Sequence, residues 1–125
     1  MNAGSNQAAP EVTQPLLTEA KLADGQVELS LTIPPELIYF RGHFPGFAIL
    51  PGVVQIEWVM GYSKRYFKLG DSTARTMQIK FRQLIRPGDR LQLTLTYQPA
   101  HSLIQFVYAN IEGTLSSGRI GLEPL

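Results

Sequence analysis

Between His43 and Phe67 the chain reads HFPGFAILPGVVQIEWVMGYSKRYF, and two of these residues have the types and spacing of an acid–base pair. An unperturbed imidazole, with its pKa near ~6.5, is largely neutral at cellular pH, so His43 can serve as a base. Glu57 follows fourteen positions later, in a stretch with the pattern of a helix. Three and four residues from it lie Val53, Val54, Met60 and Gly61, all apolar or small. A carboxyl in that setting is expected to be buried, and therefore paired, protonated or facing a wet cavity. Pro51 suits the start of a helix, and Gly52 allows close approach to the backbone. The free amides of that first turn, aided by the helix dipole, favour a polarised carbonyl oxygen. A base, a buried acid and an oxyanion site are the groups needed to remove a proton α to a carbonyl and expel a β-hydroxyl.

These groups need a helix and a scaffold to hold it. A helix is expected from about Val53 to Phe67, apolar nearly all round for ten residues and hence buried and wrapped by a sheet. Lys64, Arg65 and Lys68 suit its C-terminal pole, and Gly70–Asp71 its stop. Upstream, a short strand is expected around Val12–Thr18. After the turn at Asp24–Gly25, Val27, Leu29, Leu31 and Ile33 alternate with polar residues as a half-buried strand. One helical turn is expected over Glu36–Phe40. Downstream, Met77, Ile79, Phe81, Gln83 and Ile85 share one strand face, and Leu91, Leu93, Leu95 and Tyr97 share another. Leu103–Ile111, apolar on both faces, has the character of a central strand or of one meeting a partner. Gly113–Leu122 holds three glycines and is expected to be a poor edge strand or irregular tail. The whole is an α+β domain over residues 12–125, with residues 1–11 a disordered tail.

The run His43-Phe44-Pro45-Gly46, then Pro51-Gly52-Val53, then Glu57 resembles the 3-hydroxyacyl-acyl-carrier-protein dehydratases of bacterial fatty-acid synthesis (FabZ/FabA-like). The resemblance is dense over residues 40–60 and looser from about 25 to 120. Ala48 stands where that family usually has a second proline, and Gly61 where its members commonly have glutamine. ILPGVVQIEW is closer to the ApeI-like branch of thioester dehydratases, associated with aryl polyene and related lipid pathways. The resemblance implies a hotdog fold, an antiparallel sheet wrapped around one long central helix. It also implies a cofactor-free homodimer or higher oligomer, with His43 of one subunit facing Glu57 of the partner subunit. His43 would take the α-proton, Glu57 would assist departure of the hydroxyl, and the Gly52 amide would hold the thioester carbonyl. Gly52, Val53, Phe44, Phe47, Trp58 and Phe81 would bind substrate, with Phe40 a further candidate for an acyl tunnel.

Each assignment has a plainer alternative. His43 could be a loop histidine bonded to backbone, Glu57 a structural partner of an arginine such as Arg82, and any one aromatic a core residue. Lys80, Arg82 and Arg86, with Arg41 and Arg90, form either a basic rim for an acyl carrier protein or a solvated strand face. His101, in a turn, is expected to be ordinary surface. A hotdog thioesterase and a non-catalytic acyl-thioester-binding subunit are the competing functions.

Composition narrows the field. A net charge of +1 gives no reason to expect nucleic acid as the main partner. With no cysteine, the chain has no thiol nucleophile, thiolate metal site or disulfide framework, and two histidines make a metal enzyme a poor fit. MNAGSNQAAP lacks the basic start and apolar run of a signal peptide, so the protein is expected to be cytoplasmic. Charged residues interrupt the only long apolar run, so no membrane span is expected.

Overall fold

The computed structural model describes residues 11–41 and 48–123. Six strands and one long helix account for most of them: β1 (Leu16–Ala23), β2 (Gln26–Thr32), α1 (Gly52–Phe67), β3 (Thr73–Phe81), β4 (Arg90–Gln98), β5 (Leu103–Asn110) and β6 (Gly113–Glu123). The strands form one antiparallel sheet in the order β1-β2-β4-β5-β6-β3, and α1 packs on one face of it. This is the hotdog arrangement. Short 3-10 turns at Ile38–Phe40 and Pro99–His101 carry two of the connections.

Period-two alternation decides which face of the sheet meets the helix. Val27, Leu29 and Leu31 of β2, Leu91, Leu93 and Leu95 of β4, and Ile104, Phe106 and Tyr108 of β5 are all buried beneath α1. From α1, the buried apolar residues are Val54, Trp58, Val59 and Tyr62. Trp58 also donates its indole N–H to the Thr13 carbonyl at 3.0 Å, which ties the segment before β1 to the helix. The helix ends at Lys68, in the left-handed conformation, two residues before the glycine expected to stop it.

Two expectations need correction. The segment Gly113–Leu122 is neither an edge nor a tail: β6 lies between β5 and β3 and pairs with both. A bulge at Tyr108/Ala109 places two successive β6 residues, Leu115 and Ser116, in the interior, so strict alternation fails there. Gly118 is required by close approach, since a Cβ there would stand 2.7 Å from the Phe106 ring and 2.6 Å from the Gln78 carbonyl oxygen. Second, α1 is not buried on every side. The sheet covers one face, and the opposite face, carrying Val53, Glu57 and Gly61, is exposed. The strand expected through Ile85 stops at Phe81, where the amides of Arg82 and Gln83 both turn to the Leu115 carbonyl.

Candidate active site

The uncovered face of α1 and the edge strand β3 enclose an open groove of about 790 Å³. Gly52, Val53, Ile56, Glu57, Met60, Gly61 and Lys64 form its helical wall, and Met77, Ile79 and Phe81 form the other. From Gly52 to Lys64 the helix advances about 18 Å at 1.5 Å per residue, so the groove follows the helix axis. Its lining is apolar except for Glu57 and Lys64. Large apolar side chains stand in the open here, with Val53 74% exposed, Phe81 55% and Met77 53%. Exposed apolar surface of this kind marks a ligand or partner site.

At the groove's N-terminal end, Pro51 caps the helix and Gly52 begins it. The first bonds of the helix run from the amides of Val54 and Gln55 to the Pro51 carbonyl, at 3.1 and 3.3 Å. The amides of Gly52 and Val53 precede any carbonyl they could reach within the helix, and so are free to meet a negative oxygen. Gly52 is also where Phe81 lies closest: a Cβ on it would stand 2.6 Å from the tip of the Phe81 ring. The glycine brings the aromatic wall against the helix start.

The structure brings Gly52, Val53, Glu57 and Phe81 together in this one groove. Glu57 is not buried, as its apolar neighbours suggested, but exposed along the groove. The reason is that three of those four neighbours, Val53, Met60 and Gly61, lie on the helix face that the sheet leaves uncovered. Trp58, one step further round the helix, points into the core, where it is 2% exposed and outside the groove lining. Phe40 is half-buried against the core. His43, Phe44 and Phe47 lie outside the described residues.

The basic rim separates as well. Lys80 and Arg82 line a second cleft, on the outward face of the sheet, where Arg119 joins them. Arg119 stands beside them because β6 is an interior strand, where the sequence pattern indicates a poor edge strand or irregular tail. Arg86 sits instead in the turn before β4, where its amide donates to the Asp89 carboxylate at 2.8 Å, and Arg90 lines a recess beside β2. His101 is exposed in its turn, and Arg41 is exposed just before residue 42.

The sequence reading missed Gln55, Tyr108 and Ser116, which form a polar cluster beneath the first turn of α1. Gln55 is 3% exposed. Its side-chain amide donates to the Leu50 carbonyl at 3.4 Å and accepts from the Ser116 hydroxyl at 2.7 Å. The Tyr108 hydroxyl donates to the Gln55 carbonyl at 2.7 Å. Burial, and secondarily the neighbouring Tyr62, raise the Tyr108 pKa well above its ordinary value, so it remains a donor. Tyr108 and Ser116 are 53 and 61 residues from Gln55 in the chain, so no local pattern gave a sign of the cluster.

The pattern of the family described as "ApeI-like: ApeI dehydratase" matches residues 19–119. Among solved structures, a protein of Erwinia carotovora subsp. atroseptica is 38% identical, with 90% of this chain and 98% of that one covered at a TM-score of 0.78. The dehydratase heterocomplex ApeI:P from Xenorhabdus doucetiae is similar at 32% identity, covering 87% of this chain and 97% of that one at a TM-score of 0.81. The 3-hydroxyacyl-[acyl-carrier-protein] dehydratase FabZ of Oenococcus oeni is 34% identical over 65 residues, 46% of this chain and 47% of its own length. The chain spans about half the length of the curated relatives it matches. The Xenorhabdus assembly is a heterocomplex, which overturns the homodimer expected from the sequence. An open groove and a free strand edge call for a covering surface, but nothing in them requires that surface to belong to an identical chain. With its match over residues 19–119 and full-length likeness to these structures, the chain belongs to the ApeI-like dehydratase family.

Proposed function

We propose that this protein dehydrates 3-hydroxyacyl thioesters to trans-2-enoyl thioesters, with the acyl group delivered on an acyl carrier protein. The observation that carries the reading is the placement of one carboxyl, Glu57, in an apolar groove that begins at the free amides of a helix N-terminus. In this scheme the Gly52 amide receives the thioester oxygen, which stabilises the enolate formed when the α-proton leaves. His43, placed by its spacing in the HFPG motif, takes that proton. Glu57 gives a proton to the β-hydroxyl, which leaves as water, and the C2–C3 double bond forms. Val53, Ile56, Met60 and Phe81 hold the acyl chain and keep water from the enolate. The missing wall of the groove is supplied by a different chain, in keeping with the heterocomplex of the Xenorhabdus relative.

The test is hydration of a trans-2-enoyl thioester, on carrier protein and on a pantetheine analogue, by the protein isolated with whatever chain it retains. Loss of enoyl absorbance in the wild type, absent from a folded His43→Ala variant, supports the reading. Release of free thiol without hydration points to a thioesterase, and binding without turnover to an acyl-binding subunit.

A further inference from the structure

We propose that Gln55 is a positioning residue that fixes the first turn of α1, and with it the Gly52 amide and Glu57, against the edge of the sheet. This rests on the dehydratase reading above. Glutamine is seldom fully buried, and burying its amide is costly unless both ends find partners. Here both do, and their identities set the orientation of the amide. The Leu50 carbonyl can only accept, so it selects the NH₂ end and leaves the oxygen for the Ser116 hydroxyl.

Core packing alone does not call for this arrangement, because an apolar pair of similar shape can replace a buried hydrogen-bonded pair at little cost in stability. Among the described residues only three buried side chains other than tyrosine and tryptophan are polar, Gln55, Ser63 and Ser116, and two of these join Tyr108 in the cluster. What directional bonds add is registry. Leu29, Leu93, Tyr108, Ser116 and Phe81 are successive partners in one row across the sheet. Gln55 bonds to Tyr108 and Ser116 of that row, while Gly52, three residues earlier in the helix, lies against Phe81. The cluster therefore sets the distance from the helix start to the groove's far wall. Through Leu50, whose own amide donates to the Ile85 carbonyl at 2.8 Å, it also holds the residues that lead into Pro51.

Gln55→Leu keeps the bulk and removes the directional bonds. A folded Gln55→Leu protein is expected to lose about 10- to 100-fold in kcat with little change in KM, as a small displacement of aligned groups does. Gln55→Glu can donate to the Leu50 carbonyl only when protonated, so its kcat should recover as pH falls, relative to the wild-type profile. If Gln55→Leu does not fold, that profile decides, and one parallel to the wild type overturns the proposal. Wild-type kcat in folded Gln55→Leu overturns it too. Amide hydrogen exchange separates this idea from the dehydratase reading. The amides of Leu50 and Val54, which donate to the Ile85 and Pro51 carbonyls, should exchange about tenfold faster in Gln55→Leu while that of Val59 does not, whether or not the wild type turns over an enoyl thioester. Unchanged exchange at Leu50 and Val54 would contradict the positioning role alone.

Discussion

The two faces of α1 differ more than their residue types suggest. Both are apolar, and adjacent residues fall on opposite sides: Trp58 is 2% exposed beneath the helix, while Glu57 stands in the open groove. The face on the sheet meets complementary partners from every strand it crosses, so its side chains are fixed by packing. Among the described residues the groove face meets only β3, which leaves Val53 and Phe81 exposed and available to a substrate or a second chain. Apolar residues on the first face are therefore expected to act on stability and, under the proposed function, those on the second on binding and chemistry.

Substitutions that separate the two faces should separate the two properties. The largest effect is expected for Glu57→Gln, which should lower turnover about 10²- to 10⁴-fold by removing the proton donor. Its thermal midpoint should hardly move, because the side chain is exposed; a large fall in midpoint with turnover kept would make Glu57 a structural residue. Next comes Trp58→Ala, which should cost about 3–5 kcal/mol of folding stability by emptying a core site. Denaturant unfolding would read it, and a near-neutral result would deny the packing account of this face.

Tyr108→Phe should cost about 1 kcal/mol at neutral pH, the worth of one hydrogen bond. It should also change the alkaline limb. Because the folded chain holds the Tyr108 proton more tightly than the unfolded one, this contribution is complete below the ordinary tyrosine value of 10.0 and is lost as pH rises beyond it towards the higher folded value. Tyr62, raised chiefly by its own burial, acts in the same direction. A urea series above pH 10 should thus show a shallower loss of stability in Tyr108→Phe than in the wild type. The smallest effect on stability is expected for Val53→Ser, within about 0.5 kcal/mol. What it should change is KM, which should rise as the groove loses apolar surface.

The difference between the faces also explains what could be read in advance. Strands β2 and β4 were legible because one face of each is buried and the other is not, which writes strict alternation into Val27–Leu31 and Leu91–Leu95. β6 was hidden by the bulge that turns Leu115 and Ser116 inward together and by a glycine that makes room for the Phe106 ring. The helix was legible as a helix, and its charged residue stood out. Its exposure did not, because a helix apolar on two faces has the same pattern whether a sheet wraps it or leaves one side for another molecule. Trp58 was misplaced for a related reason: one residue is about 100° of rotation at 3.6 residues per turn, enough to carry it from the groove to the core. The Gln55 cluster could not be seen at all, since it joins α1 to β5 and β6, more than fifty residues further along the chain.

The most direct test of the groove face as the working face uses the methionines. The chain has three, and two of them, Met60 and Met77, stand on opposite walls of the groove. With ¹³C-labelled methionine methyl groups, titration with a non-reactive enoyl-thioester analogue should shift the Met60 and Met77 signals together along one binding curve. Binding of the analogue that leaves both signals in place would put the acyl chain elsewhere and contradict the assignment of this groove.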